Sequence, residues 1–232
     1  MKKSKVFLEK QYDLVGEEYI KRQLKFYNDH EDVPRAFIRK FLLEFKDKIV
    51  LDAGCGFGKD ILIYEKANAK EVFGIDSSKL MVSEAKKFVS HPERIFVKDI
   101  RNTEFPDKYF DIIVSRYALH YLTDIDAFYK EAFRILKDDG LLIVVTDHPL
   151  GSLLKQKKKI YGKREIVPTT MMIKTAKIYF PTHTFKDYFS ETFFSLFRLE
   201  YFDEAFDNFH KIPGNSFKFP NFLGFKARKV LQ

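Results

Sequence analysis

The sequence predicts an α/β fold built on a mostly parallel β-sheet, with helices packed on both of its faces. Short apolar runs of strand length, such as Ile49–Leu51, alternate along the chain with stretches of helical periodicity. The first run is followed by glycines at positions 54, 56 and 58. Three of the strand-like runs also end in an aspartate. In open α/β sheets the carboxyl ends of the strands form the edge at which ligands bind.

The order of the apolar runs predicts seven strands. We expect them at about residues 49–52, 71–76, 94–100, 110–115, 141–146, 194–202 and 222–229, the last two pairing antiparallel as a hairpin. Ser77 or Ser78 can cap the helix after the second strand. Thr123 and Asp126 resemble a capping box at the start of a later helix, and Gly140 is the expected residue just past its end.

The glycine-rich turn after the first strand has the size of a nucleotide-binding turn. Glycine accepts positive φ and lets a ligand approach the backbone without a Cβ in the way. Helical residues follow from about Lys59, so the free N–H groups of the turn and of the helix start point into one space.

The spacing of these glycines excludes two common phosphate-binding turns. A P-loop needs Gly-x-x-x-x-Gly-Lys-[Ser/Thr], which does not fit here. The dinucleotide fingerprint Gly-x-Gly-x-x-Gly would place its third glycine at position 59, where this chain has Lys59. A nicotinamide-dependent dehydrogenase is therefore disfavoured.

The three aspartates that end strands are Asp52, Asp76 and Asp99. Asp76 stands 18 residues after Gly58. A carboxylate at that distance, at the end of the second strand, is well placed to accept hydrogen bonds from ribose hydroxyls. Alternatively, Asp76 could stabilise the positive end of the dipole of the next helix, but this role does not explain its distance from the glycines.

Three segments resemble class I S-adenosylmethionine-dependent methyltransferases. Residues 51–58 (Leu-Asp-Ala-Gly-Cys-Gly-Phe-Gly) resemble motif I of that family, and residues 105–115 are similar to its motif IV. Residues 116–122 (Arg-Tyr-Ala-Leu-His-Tyr-Leu) resemble the type 11 small-molecule members. The resemblance implies a Rossmann-like fold, S-adenosylmethionine as cofactor, S-adenosylhomocysteine as product, and methyl transfer to a small molecule. The phenylalanine-rich C-terminal third indicates that this acceptor is partly apolar.

The resemblance also implies which residues hold the cofactor. The glycine loop would wrap its methionine part, and Asp99 would meet the adenine amino group, with Ile100 at the ring edge. Tyr12 and Tyr19 resemble a tyrosine-rich segment that covers the cofactor, although aromatic anchors of a surface helix are an equal alternative. The predicted cofactor-binding residues are Tyr12, Tyr19, Asp52, Gly54, Cys55, Gly56, Gly58, Asp76, Ser77, Asp99, Ile100, Ser115 and Arg116.

Two histidines are candidates for the transfer site. The unperturbed pKa of histidine, near 6.5, suits proton removal at neutral pH. His120 follows the fourth strand, where the resemblance places the transferred methyl, and His183 begins a short helix on the acceptor side. Either could act as a base; alternatively His120 packs beneath the cofactor and His183 caps its turn.

We expect one domain over residues 1–232, with a helical cap at 1–46 and a cofactor-binding core at 47–150. Residues 151–192 would form a substrate-side insertion, and residues 193–232 the C-terminal strands. The insertion carries a basic run from Lys155 to Arg164, with no interleaved aromatic residue beyond Tyr161. That pattern favours a solvated lid or loop over a nucleic-acid contact.

The formal net charge of +8 invites a nucleic-acid partner, but 33 acidic residues are interleaved with the 41 basic ones. Neither the Asn/Asp-Pro-Pro-Tyr/Phe motif of adenine methylation nor a nucleophilic cysteine outside the cofactor loop is present. A small-molecule acceptor is therefore favoured over nucleic acid. Methylation of RNA ribose or protein, and a non-catalytic cofactor-binding partner, stay open as alternatives.

Compartment and metal content are predicted from absences. The single cysteine, Cys55, excludes an intramolecular disulfide and a cysteine-based zinc cluster, and we predict no metal ligands. The start of the chain lacks the apolar run of a signal peptide, and no run approaches the ~18 apolar residues of a membrane span. Cytoplasm is the default expectation.

Overall fold

The computed structural model of the chain describes residues 8, 10–29, 33–169, 177–206 and 220–231. Its helices are α1 (Tyr12–Asp29), α2 (Val33–Arg39), α3 (Ile61–Lys66), α4 (Lys79–Phe88), α5 (Ile125–Ile135), α6 (Pro149–Leu154), α7 (Phe185–Tyr188) and α8 (Glu191–Leu196). Its strands are β1 (Ile49–Ala53), β2 (Glu71–Asp76), β3 (Ile95–Val97), β4 (Phe110–Arg116), β5 (Leu136–Asp147), β6 (Ile166–Thr169), β7 (Ile178–Pro181), β8 (Phe197–Ala205) and β9 (Phe222–Lys229). Short 3₁₀ helices lie at Leu42–Phe45, Pro92–Arg94 and Leu119–Tyr121.

Seven strands form one sheet in the order β3-β2-β1-β4-β5-β9-β8. The pairs from β3 to β5 are parallel, whereas β9 pairs antiparallel with both β5 and β8. The predicted Rossmann-like sheet with an antiparallel C-terminal hairpin is confirmed. Because the chain order reverses between β1 and β4, a crevice opens at the carboxyl ends of these two strands.

Each face of the sheet has its own apolar core, because side chains alternate along a strand. On one face Ile112 and Val114 of β4 join a cluster that includes residues of α2, α3 and α4. On the other face Ile113 joins a cluster with residues of α5 and α8. Both faces of the sheet are therefore covered by helices, as predicted.

The prediction for Gly140 was wrong. Helix α5 ends at Ile135, and Leu136 is already extended and pairs with Phe110 of β4. Pairing with the sheet therefore ends the helix five residues before Gly140, which lies inside β5. The positive φ expected of a glycine in this region is taken by Asp139 instead, at 62°.

Three other boundaries differ from the prediction. The N-cap of α5 is Asp124, whose carboxylate accepts the N–H of Ala127, so the box starting at Thr123 is not formed. Strand β3 ends at Val97, because residues 99–102 turn back on themselves in a bridge between Asp99 and Asn102. Strand β8 starts at Phe197, since α8 occupies the preceding residues.

Residues 155–164, predicted as a solvated lid or loop, contain no helix or strand, and a small separate sheet follows them. Strands β6 and β7 pair antiparallel in a separate two-stranded sheet, in which Val167 lies opposite Phe180. Both of those side chains are buried. Apolar residues at this alternating spacing are what a half-buried hairpin needs. Among the helices described, none is long and apolar enough to cross a membrane.

Candidate functional site

A cleft opens at the carboxyl edge of the sheet, where the loops after β1, β2 and β4 meet. It encloses about 1020 Å³ including its open mouth, which is ample for a nucleoside joined to an amino acid. The start of α1 covers one side of it through Tyr12 and Tyr19. Ten of the thirteen predicted cofactor-binding residues line this cleft: Tyr12, Tyr19, Gly54, Cys55, Gly56, Asp76, Ser77, Asp99, Ile100 and Arg116.

The glycine loop is tied to the end of β2. The N–H groups of Gly54 and Cys55 both donate to the carbonyl oxygen of Ile75, at 2.8 and 2.9 Å. Gly54 has φ +86°, and a Cβ added there would lie 2.4 Å from the Cβ of Ala118. Only glycine lets the loop pass this close to the segment after β4, which brings the two sides of the cleft together.

Asp76 is oriented by backbone groups. Its two carboxylate oxygens accept the N–H groups of Gly56, at 3.0 Å, and of Ser78, at 2.9 Å. Burial raises the pKa of Asp76, although these backbone hydrogen bonds oppose the rise. Each oxygen keeps further lone-pair capacity for a donor in the cleft. The arrangement can therefore hold a diol without moving the side chain.

Asp52 lies behind the glycine loop and is not among the residues that line the cleft. It is 2% exposed, and its Oδ2 has no hydrogen-bond partner among the described residues. Burial, together with repulsion from Asp60, raises the pKa of Asp52 well above its usual value. Its position is that of a buried group beneath the loop.

Gly58 and Ser115 also lie outside the cleft lining, and both have structural contacts. A Cβ on Gly58, which has φ +81°, would meet Val89 and Ala85 at 2.9 and 3.2 Å. The hydroxyl of Ser115 donates to the carbonyl oxygen of Ala53 at 2.8 Å and so ties β4 to β1. These two residues shape the loop from behind.

A buried charge cluster at one end of the cleft was missed by the sequence analysis. Asp60 accepts a hydrogen bond from the Nε of Arg35 and another, at 2.5 Å, from the Nε of Arg116. All three line the cleft, and the side chains of Arg35 and Asp60 are 3% and 7% exposed. Burial opposes ionisation of Asp60, but the two arginines outweigh it and hold the pKa of Asp60 well below its usual range.

The opposite end of the cleft is more apolar. Ile100, Leu8 and Met81 line it. Asp99 makes a two-pronged ion pair with Arg101, whose Nε and Nη2 lie 2.9 and 2.5 Å from its carboxylate oxygens. The predicted partner of the adenine ring is thus already bound to a guanidinium in this structure.

Tyrosines from two elements meet over the cleft. The hydroxyls of Tyr12 and Tyr121 lie 2.7 Å apart, and the ring of Tyr12 also packs edge-on against Tyr19. Burial raises the pKa of the Tyr12 hydroxyl well above its usual value, so it stays neutral. Tyr121 belongs to the segment 116–122 that follows β4, but it was not predicted as a site residue.

The two candidate histidines lie together beyond this tyrosine pair. The ring of His120 packs on Tyr121, with centroids 4.1 Å apart, and Nε2 of His183 lies 3.3 Å from the carbonyl oxygen of His120. Neither residue lines the main cleft, and each is 5% exposed. Burial lowers the pKa of each imidazole to about 4, and neither Nδ1 has a hydrogen-bond partner among the described residues.

The missed residues had weak sequence signals. Asp60 follows the glycine turn directly, but its partners are 25 and 56 residues away in the chain. Neighbouring charged residues such as Lys59 and Asp60 are common at exposed helix starts. The local sequence therefore did not distinguish Asp60 from an acid on the surface.

Comparison with known proteins agrees with this geometry. Residues 51–144 match the family described as a methyltransferase domain. That stretch runs from β1 into β5 and contains the glycine loop, Asp76 and the segment after β4. This stretch of the chain is therefore similar to a methyltransferase domain.

Two curated relatives match the same region. The methyltransferase YcgJ of Bacillus subtilis, itself uncharacterized, is 37% identical over 103 residues, covering 43% of this chain and 40% of that protein. The demethylmenaquinone methyltransferase of Thermotoga maritima is 32% identical over 138 residues, 58% of each chain. This chain therefore spans only 40% and 58% of the length of these two relatives, and their activities are not assigned to it.

A solved structure shows the same fold over most of the chain. An S-adenosylmethionine-dependent methyltransferase from Mesorhizobium loti has a TM-score of 0.67 with 22% sequence identity, over 84% of this chain and 96% of that chain. Identity at this level shows the fold alone. The fold predicted from the sequence is confirmed, and residues 51–144 match the model of the family that the sequence resembles.

Proposed function

We propose that this protein is an S-adenosylmethionine-dependent methyltransferase whose acceptor is a small, partly apolar molecule. The observation that carries the proposal is the Asp76 carboxylate, presented to the cleft by the N–H groups of Gly56 and Ser78. A diol-binding acid beside a loop with little side-chain bulk fits a nucleoside whose ribose hydroxyls donate to it.

The charges at the two ends of the cleft support one orientation of the cofactor. Arg35 and Arg116 both bind the carboxylate of Asp60, which places two guanidinium groups at this end of the cleft. We infer that it faces the carboxylate of the methionine part, for which guanidinium groups are the preferred partners. The apolar end with Ile100 and Met81 then receives the adenine ring.

S-adenosylmethionine supplies a methyl group on a sulfonium, which an acceptor displaces in line. The contribution of this chain is to bind, align and exclude water, and alignment alone can supply effective molarities of ~10⁵–10⁸ M. Tyr12 and Tyr121, which close over the cleft, are suited to that role. His120 and His183 are neutral at physiological pH, because burial lowers the pKa of each to about 4.

A small acceptor is favoured because three of the six basic residues between positions 155 and 164 form ion pairs with acids. Arg164 lies 2.5 Å from Asp187, Lys163 lies 3.2 Å from Glu165, and Lys155 lies 3.6 Å from Asp147. Basic side chains paired in this way are less available to phosphates. The aromatic residues near the histidines, such as Phe180, support a partly apolar acceptor instead.

Calorimetric titration with S-adenosylmethionine, S-adenosylhomocysteine and NADH tests the cofactor. We expect binding of the first two only, and Asp76→Asn should weaken S-adenosylhomocysteine binding roughly 10- to 100-fold, the usual effect of losing hydrogen bonds to a charged group. The control is Asp138→Asn. Asp138 is an exposed acid near the start of β5, away from the cleft at the carboxyl ends of the strands, so this variant should bind the ligand as the wild type does. Equal affinity in wild-type and Asp76→Asn protein would rule out the ribose assignment.

The acceptor class is tested with labelled S-adenosylmethionine and three mixtures: a metabolite extract, total RNA and a protein extract. We expect label in the small-molecule fraction. Label in RNA, with binding that weakens steeply as salt rises, would replace this proposal with the nucleic-acid alternative. Once the acceptor is identified, the turnover of His120→Ala and of His183→Ala measured across pH 6–9 decides whether either imidazole acts as a base.

A further inference from the structure

Three consecutive residues at the start of α1 bind three different parts of the molecule. Gln11 binds strand β7, Tyr12 binds Tyr121 after β4, and Asp13 accepts hydrogen bonds from the hydroxyl of Ser78 and the N–H of Leu80 at the start of α4. The last two contacts close α1 over the cofactor cleft. The first reaches out of the cleft to the insertion.

The contact of Gln11 with β7 uses both ends of its side-chain amide. Its Nε2 donates to the carbonyl oxygen of Tyr179 at 2.8 Å, and its Oε1 accepts the N–H of the same residue at 2.8 Å. Gln11 is 3% exposed, so both bonds are shielded from water. An amide that satisfies one residue's donor and acceptor together reproduces a backbone pairing, and only glutamine or asparagine can make it.

The hairpin β6–β7 depends on such contacts for its position, because it does not belong to the seven-stranded sheet. Phe180 of β7 packs against His120 and Tyr121, with ring centroids 5.3 and 6.3 Å away. Tyr121 in turn bonds Tyr12. The hairpin, the segment after β4 and the start of α1 therefore form a closed ring of contacts around the histidine pair.

We propose that Gln11 couples the cofactor-side lid to the acceptor-side hairpin, so that closure of α1 over bound cofactor also orders β6–β7. The inference rests on the proposed function, since it takes the main cleft as the cofactor site. Coupling of this kind is reciprocal: an acceptor that needs the ordered hairpin binds more tightly once cofactor is present, and bound acceptor raises the affinity for cofactor by the same factor. Gln11 is thus a positioning residue and touches neither ligand.

Hydrogen exchange with and without saturating S-adenosylhomocysteine tests the coupling. The amides to follow are those of Ile166, Val167 and Thr169 in β6. Gln11 hydrogen-bonds to Tyr179 of β7, so protection of β6 is not a direct consequence of those two bonds. We expect S-adenosylhomocysteine to slow their exchange in the wild type. In Gln11→Ala the exchange in the complex should be roughly 5- to 100-fold faster, the range expected for losing the two hydrogen bonds to β7. The variant also loses the bond from Gln11 to the carbonyl oxygen of Leu8, which does not involve the hairpin.

The matched control is Gln23→Ala. Gln23 is also on α1, is 5% exposed, and donates to the hydroxyl of Tyr19 at 2.9 Å, so its loss removes a buried amide without touching the hairpin contact. It should keep ligand-dependent protection of β6. Gln11→Glu, which can accept from Tyr179 but cannot donate to it, should lie between wild type and Gln11→Ala.

The outcomes separate the two proposals. If S-adenosylhomocysteine binds and protects α1 but not β6 in the wild type, or if Gln11→Ala keeps full protection of β6, the coupling is wrong and the proposed function stands. If calorimetry shows no binding of S-adenosylhomocysteine to the wild type, both are overturned. Loss of protection in Gln11→Ala alone, with affinity still measurable, supports the coupling.

Discussion

Replacing Asp60 by asparagine is the most severe conservative change that this structure predicts. Asp60→Asn keeps the size of the side chain but removes the carboxylate charge that the Nε atoms of Arg35 and Arg116 both contact. The side chains of Asp60 and Arg116 are 7% and 12% exposed, so water cannot replace the lost charge. Two guanidinium groups then stay buried with reduced compensation.

The expected loss follows from that burial. Removing one partner of a buried ion pair costs about 3–5 kcal/mol, a large share of the ~5–15 kcal/mol that stabilises a typical protein. With urea slopes of about 1–3 kcal/mol per molar, the unfolding midpoint should fall by roughly 1–5 M. Far-UV circular dichroism is the assay, because the chain has no tryptophan.

An exposed pair is the control for this change. Lys40 and Asp203 lie 2.9 Å apart with side chains 46% and 34% exposed, so Asp203→Asn should cost no more than about 1 kcal/mol. The pKa of Asp60 is held well below its usual range, so its stabilisation is fully present above the ordinary carboxyl pKa. It is lost only as pH falls below that range. An Asp60→Asn variant as stable as Asp203→Asn at pH 7 would refute the reasoning.

Two further predictions concern the glycine loop and the histidines. Gly54→Ala should be more destabilising than Gly56→Ala by about 1–3 kcal/mol in urea unfolding, because both have positive φ but only Gly54 has a close neighbour, the Cβ of Ala118; equal losses would contradict the packing argument. The pKa of His120 and of His183 is lowered to about 4 in the folded protein, so the unfolded chain binds more protons between pH ~6.5 and ~4 and stability is lost as pH falls through that window. A His120→Gln, His183→Gln double variant should therefore lose less unfolding free energy than the wild type when the pH falls from 7 to 5, by a few kcal/mol at most. The same loss in both proteins would show that these imidazoles are not buried.

The sequence alone determined the features that depend on neighbours in the chain. The positive φ of Gly54, Gly56 and Gly58 follows from the residue type and the tight turn. The position of Asp76 at the end of β2 follows from an apolar run of fixed length. Because parallel strands bring their carboxyl ends to one edge, these local signals were enough to predict the fold and the side of the sheet on which the cleft lies.

The ends of helices and strands were less predictable where strand pairing overrode the local preference of the sequence. Gly140 carried the sequence signal for a helix end, yet the helix stops at Ile135 because Leu136 pairs with Phe110 of β4. The hairpin β6–β7 has too few residues for its alternation to stand out from an irregular loop. In the first case the competing contact comes from a strand that is distant in the chain.

Only the tertiary structure decided the chemistry of the site. The hydroxyls of Tyr12 and Tyr121 meet across 109 positions of sequence, and Gln11 meets Tyr179 across 168. The low pKa of His120 is a product of burial, which no residue type carries by itself. A sequence pattern reports on backbone preference and on the face a side chain occupies, whereas desolvation and long-range hydrogen bonds exist only after separate elements have packed together.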